Sequence, residues 1–91
     1  MAKIIIKMYA TIREKFKDGV AELDANTVIE AVQKLSQQYP ALRGEILDDE
    51  LNLKSDYIYL LNGRNVEFLK KGDTPLKDGD KISIFPPVAG G

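Results

Sequence analysis

Apolar and polar residues alternate at the start of the chain, with Ile4, Ile6 and Met8 in one phase and Lys3, Ile5, Lys7 and Tyr9 in the other. This pattern predicts a strand over Lys3 to Tyr9 with one core-facing side. After the turn-like Lys17-Asp18-Gly19, Val20 to Leu23 reads as a short second strand. The connection is too short for a crossover helix, so the two strands are expected to form an antiparallel hairpin. The period then changes. Thr27-Val28-Ile29-Glu30 fits a capping box, in which the Thr hydroxyl accepts from the third backbone N–H and the Glu side chain reaches back. Val28, Ala31, Val32, Leu35 and Tyr39 fall on one helical stripe, and Pro40 ends the run by biasing Tyr39 away from the α region.

Ala41 to Leu53 is acidic with scattered leucines and reads as a short helical turn plus loop. Tyr57 to Leu61 is aromatic and aliphatic, and the Asn62-Gly63 that follows tolerates positive φ at both positions, so a tight hairpin turn is predicted with Val66 to Leu69 as the returning arm. Further turns fall at Lys71-Gly72-Asp73 and Lys77-Asp78-Gly79-Asp80, and Lys81 to Phe85 alternates as the last strand. A hairpin, one long helix and then more strands define an α+β class. The arrangement that fits is a β-grasp, ubiquitin-like mixed sheet of four to five strands with the helix packed on one face. In it the first and last strands lie side by side at the centre. The domain is expected to occupy residues 1–86, followed by a flexible tail over 87–91 that ends Gly-Gly.

Composition narrows the functions open to such a domain. Ninety-one residues, 44% hydrophobic and 30% charged, suit one modest core. Thirteen basic residues nearly balance fourteen acidic ones and are interspersed, which argues against nucleic acid or an anionic membrane as partner. The absence of Cys and His removes disulfides, thiol nucleophiles, His-based proton transfer and the usual zinc constellations. Lys7 interrupts the first apolar run too early for a signal peptide, so a cytoplasmic location is expected.

The chemistry that remains lies beyond Phe85, where the chain reads Pro86-Pro87-Val88-Ala89-Gly90-Gly91. Two prolines end strand pairing and favour an extended backbone, so the last residues are expected to project from the domain. Ala89, Gly90 and Gly91 are slim enough to thread a narrow channel and present a terminal carboxylate to a buried active site. A carboxylate is a poor electrophile until adenylation by ATP turns it into a mixed anhydride. The glycines at 19, 44, 63, 72 and 79 lack the spacing of a phosphate-cradling loop, so no cofactor is expected on this chain and the partner uses the ATP. By composition alone two terminal glycines arise in roughly 0.5% of chains. The dipeptide therefore gains its weight from the Pro-Pro exit and the helix-on-sheet domain behind it.

Phe85-Pro86-Pro87-Val88-Ala89-Gly90-Gly91, preceded by Pro75-Leu76-Lys77-Asp78-Gly79-Asp80, resembles the C-terminal signature of the small subunit of molybdopterin synthase and of related archaeal ubiquitin-like modifiers. Tyr9-Ala10-Thr11-Ile12-Arg13-Glu14 and Asn26-Thr27-Val28 extend the likeness over nearly the whole chain. The resemblance implies a sulfur carrier that is itself non-catalytic. Gly91 would be adenylated by a ubiquitin-activating-type enzyme, thiocarboxylated from a sulfur donor, and inserted into the large subunit of molybdopterin synthase to form the dithiolene. It further implies that Phe85, flanked by Pro86 and Pro87, docks on both partners, and that Val88, Ala89 and Gly90 thread the tunnel. Asp48-Asp49-Glu50 and the segment from Asn62 to Leu69 make the chain longer than compact bacterial small subunits. The same tail chemistry also serves conjugation to target lysines or tRNA thiolation.

Three other groups stand out. Tyr57, Tyr59, Leu61 and Phe85 form either an exposed apolar patch on the sheet face away from the helix or, in part, core, since alternation sends some outward. Asp48, Asp49 and Glu50 read as a solvated acidic loop, because a hard cation needs more converging oxygens than this run supplies. Arg13, Lys70 and Lys71 receive no role beyond solubility.

Overall fold

The computed structural model describes residues 1–9 and 19–87. Arg13, the first two residues of the Lys17-Asp18-Gly19 turn, most of the Tyr9 to Glu14 resemblance and Val88 to Gly91 lie outside them. Strand β1, Ala2–Met8, pairs antiparallel with β2, Val20–Ala25, in the register Ile4↔Leu23 and Ile6↔Ala21. Ile4, Ile6 and Met8 are buried, as their shared phase predicts.

Helix α1, Val28–Gln38, opens on Thr27, whose Oγ1 accepts from the Glu30 N–H at 3.3 Å. The reciprocal bond is displaced by one residue, for the Glu30 carboxylate accepts from the N–H of Asn26 at 2.9 Å rather than from that of Thr27. Val28, Ala31, Val32 and Leu35 are buried along one stripe. Tyr39 is only half-buried and caps the C-terminus, donating its N–H to the Leu35 carbonyl at 2.9 Å. Pro40 breaks the helix but opens a 3-10 turn, Pro40–Leu42, that runs into a single-turn helix α2, Arg43–Ile46. Leu42 and Ile46 are fully buried, so the acidic stretch contributes to the core through these apolar positions.

β3, Ile58–Leu61, turns back at Asn62 (φ 51) and Gly63 (φ 86), and β4 is the two-residue strand Arg64–Asn65. Positive φ at both turn positions suits a two-residue hairpin loop, whose return strand must begin at once. Pairing accordingly starts at Leu61↔Arg64. The returning arm therefore lies before Val66, and Val66–Phe68 is a 3-10 turn instead. The Asn65 side chain ends the strand by accepting from the Glu67 N–H at 2.9 Å, competing locally with the ladder.

β5, Lys81–Phe85, has the predicted limits and sits inside the sheet, whose order is β2-β1-β5-β3-β4. It runs parallel to β1 (Ile6↔Ile82, Met8↔Ile84) and antiparallel to β3 (Leu61↔Ile82, Tyr59↔Ile84). The turn before β5 fixes its entry. Asp78 Oδ1 accepts from the Lys3 N–H at 2.8 Å and the Gly79 N–H donates to the Lys3 carbonyl at 2.9 Å. On the other side the buried Asp80 carboxylate accepts from Asn62 Nδ2 at 2.9 Å and from the Lys77 N–H at 2.7 Å. Asn62 Oδ1 in turn accepts from the Lys81 N–H at 2.9 Å. Asp80→Ala leaves two donors without an acceptor and is expected to cost about 1–3 kcal/mol. Urea unfolding checks this by a lowered midpoint at unchanged slope, and an unchanged midpoint would show that the clamp carries no stability.

Candidate functional site

A single helix layer covers one face of the sheet, so alternation along β1, β3 and β5 leaves a second face open. Register identifies its members. Ile58 of β3 lies opposite Phe85 of β5, Leu60 opposite Ser83, and Lys7 of β1 beside Ser83. Tyr9 continues β1, donating its N–H to the Ile84 carbonyl at 3.2 Å, and its ring stacks on Phe85 with centroids 4.3 Å apart and planes at 26°. Lys7 Nζ lies 5.3 Å from the Tyr9 ring centroid, within range of a cation–π contact. Ile5 of β1, Val20 of β2 and Ile58 of β3 remain about 40% exposed (39%, 43% and 40%). This face thus mixes apolar side chains with both signs of charge, Lys3 and Lys7 beside Asp24 and Glu22, and its aromatic corner lies at the end where β5 stops.

Phe85 stands where the sequence suggests, half-buried at the strand end, with Pro86 half-buried and Pro87 exposed directly after it. Neither proline has an N–H to continue the ladder. Gly91, Gly90, Ala89 and Val88 lie outside the described residues.

The patch of Tyr57, Tyr59, Leu61 and Phe85 divides between the two faces. Tyr59 (3% exposed) and Leu61 (8%) are core on the helix side. Tyr59 ties loops together: its hydroxyl donates to the Ile46 carbonyl at 2.6 Å and accepts from the Lys54 N–H at 3.1 Å. Burial pushes its phenol well above the ordinary range. Tyr57 donates its hydroxyl to Glu45 Oε2 at 2.9 Å, and burial together with that carboxylate pushes it up to about 12. Both tyrosines are therefore structural. The residues that join Phe85 instead are Tyr9 and Ile58, which the alternation Ile58-Tyr59-Leu60 and the Tyr9 phase of the first strand already carried.

The acidic run is organised as a loop. Asp48 Oδ1 accepts from the N–H groups of Glu50 (2.8 Å) and Asn52 (2.9 Å). Among the described residues no cluster of carboxylates could hold a metal ion, and no helix is long and apolar enough to cross a membrane.

A mixed sheet with a parallel central pair and one long helix on one face is the β-grasp architecture of ubiquitin-like proteins. The chain belongs to the ThiS family, whose sequence profile matches residues 6–91. It is 41% identical over 89 residues to small archaeal modifier protein 3 of Haloferax volcanii, covering 94% of this chain and 96% of that one. The solution structure of small archaeal modifier protein 1 from Methanosarcina acetivorans superposes with a TM-score of 0.91 at 36% identity, covering 100% of this chain and 98% of the other. A chain of the Amycolatopsis orientalis BexX/CysO complex shares the fold at a TM-score of 0.84 and 22% identity, over 97% and 99% of the two chains. The protein is thus a ubiquitin-like member of a sulfur-carrier and modifier family.

Stacked aromatic pairs contribute about 0.5–1.5 kcal/mol beyond their buried area. A double-mutant cycle of Tyr9→Ala and Phe85→Ala in chemical denaturation is therefore expected to return a coupling in that range. Strictly additive losses would mean that the stack does not order the corner.

Proposed function

We propose that this chain is a sulfur carrier that works through the carboxylate of Gly91. The observation that supports this most is the placement of β5: it is held on both sides at the centre of the sheet, ends at Phe85, and is followed at once by Pro86 and Pro87. A strand fixed in this way gives the residues beyond it a firm base, and the match to the ThiS family extends through residue 91.

In the reaction a Gly91 carboxylate oxygen attacks the α-phosphorus of ATP on a ubiquitin-activating-type partner, and pyrophosphate leaves. A hydrosulfide ion supplied by the donor then attacks the acyl carbon and AMP leaves, so that one oxygen has been exchanged for sulfur. The thiocarboxylate enters the large subunit of molybdopterin synthase, which supplies the catalytic side chains, and its sulfur passes to the pterin precursor to build the dithiolene. This chain's contribution is positional. Phe85, Pro86 and Pro87 seat it on its partners while Val88, Ala89 and Gly90 occupy the tunnel, and the activating partner, rather than this chain, binds the ATP. These are the steps of a protein resident in the cytoplasm.

A second reading rests on the relative at 41% identity, which bears the name of a modifier protein. Here an amine on a target lysine, rather than sulfur, attacks the adenylated acyl group of Gly91, AMP leaves and an isopeptide bond forms.

Incubation with the cognate activating enzyme, ATP and a sulfur donor, followed by intact-mass measurement, separates the two. The carrier reading expects exchange of one oxygen for sulfur at Gly91. An unchanged mass, together with Gly91 joined to lysine in digests of cell extract, would favour the modifier instead.

A further inference from the structure

The β3–β4 turn carries chemistry that neither face of the sheet uses. Its two residues, Asn62 and Gly63, are both exposed to water. The backbone nitrogen that follows an asparagine can close a five-membered imide on the asparagine Cγ, and a side chain on that following residue is the main hindrance. Gly63 has no side chain, and nothing lies within 4 Å of where its Cβ would stand. The other asparagines, Asn26, Asn52 and Asn65, precede Thr27, Leu53 and Val66, whose larger side chains crowd the attack. Asn62 is thus the thermolabile amide of the chain by residue type.

The fold holds that amide still. Its Nδ2 donates to Asp80 Oδ1 at 2.9 Å, and its Oδ1 accepts from the Lys81 N–H at 2.9 Å. The Asn62 backbone N–H donates to the Lys81 carbonyl at 2.8 Å. Both ends of the side-chain amide are therefore bound on the β5 side of the turn, and Cγ must leave them before it can swing onto the Gly63 nitrogen. Asp80 is itself fixed, for it is buried and its second oxygen accepts from the Lys77 N–H at 2.7 Å. Ring closure waits on a local opening that breaks the Asp80 and Lys81 bonds together, and its rate follows the population of the opened turn.

We propose that Asn62-Gly63 is a site of self-modification, kept intact by the Asp80 clamp and converted in molecules whose turn has opened. The Gly63 nitrogen gives its proton to base and bonds to Asn62 Cγ, the Cγ–Nδ2 bond breaks, and Nδ2 takes up a proton and leaves as ammonia. Water then opens the imide. Cleavage at the Cγ–N bond leaves aspartate, whereas cleavage between the main-chain carbonyl carbon and that nitrogen leaves an isoaspartyl link through Cγ.

Either product undoes the clamp. The donor that met Asp80 Oδ1 has become a carboxylate, which sets two negative groups side by side and leaves a buried acceptor without its hydrogen bond. The isoaspartyl link also adds a methylene to the loop whose two-residue length sets the Leu61↔Arg64 pairing. Opening thus becomes permanent at the turn that fixes the entry of β5. The inference holds whichever way Gly91 is used.

The test incubates the full chain at mildly alkaline pH and physiological temperature, with intact mass reading the amide-to-acid exchange and peptide mapping placing it. Asp18-Gly19 and Asp78-Gly79 can close the same ring, but their hydrolysis changes no mass. Conversion is expected at Asn62, faster as pH rises, and at least about tenfold slower in the folded chain than in the same chain unfolded by urea. Asp80→Ala, shown by circular dichroism to be folded, is expected to convert about tenfold faster than wild type, as loss of a buried hydrogen bond raises the opened population. Asn62→Asp, which mimics one product, is expected to lower the urea midpoint. Equal rates in the folded and unfolded chain, or earlier conversion of another asparagine, would overturn the proposal. A folded Asp80→Ala that converts at the wild-type rate would remove Asp80 as the clamp; if that variant does not fold, the comparison of folded and unfolded wild type decides.

Discussion

The pairing of the last strand between the first and the third is the constraint on which the rest of the structure depends. β5 is flanked on both sides, its Ile82 and Ile84 are fully buried beneath the helix layer, and its entry is clamped from β1 by Asp78 and from the β3–β4 turn by Asp80. A one-residue slip would turn Ile82 and Ile84 to the open face and bring Ser83 into the core. The register is therefore set by burial and by the Asp78-Gly79-Asp80 turn together. It places Phe85, and nothing else, at the point where the chain leaves the sheet.

From this follows the division of labour between the two faces. The helix side takes Ile4, Ile6, Met8, Tyr59, Ile82 and Ile84 out of water and makes the domain stable. The other side carries Tyr9, Ile58 and Phe85 at the end of β5, with Lys7 beside them. Among the described residues the helices lie on one face, and Ile5, Val20 and Ile58 on the other stay partly exposed.

Much of this was legible in the residues. The phase of Ile4, Ile6 and Met8, the Thr27 cap and the helix stripe have local causes and took the form expected, except that Tyr39 is only half-buried and the Glu30 carboxylate accepts from Asn26. The limits of β5 were readable because Gly79-Asp80 precedes it and Pro86 follows it. The errors arose where tertiary bonds decide. Val66 to Leu69 has strand-like composition, yet the Asn65 side chain and the tight Asn62-Gly63 loop spend the hairpin within two residues. Tyr59 and Leu61 looked eligible for a surface patch because aromatic and aliphatic residues alone do not say which way alternation points. Only the partners of the Tyr59 hydroxyl, Ile46 and Lys54, distant in no simple period, reveal it as a tie inside the fold.

In the proposed function the carboxylate of Gly91, on a segment that follows a central strand, is the reacting group. The most direct measurement extends the chain by one bulky residue after Gly91 and follows adenylation by the activating enzyme, with intact mass confirming that the added residue is retained. Adenylation is expected to be abolished while the fold is unchanged. Normal adenylation of the extended chain, with the extra residue still in place, would contradict it.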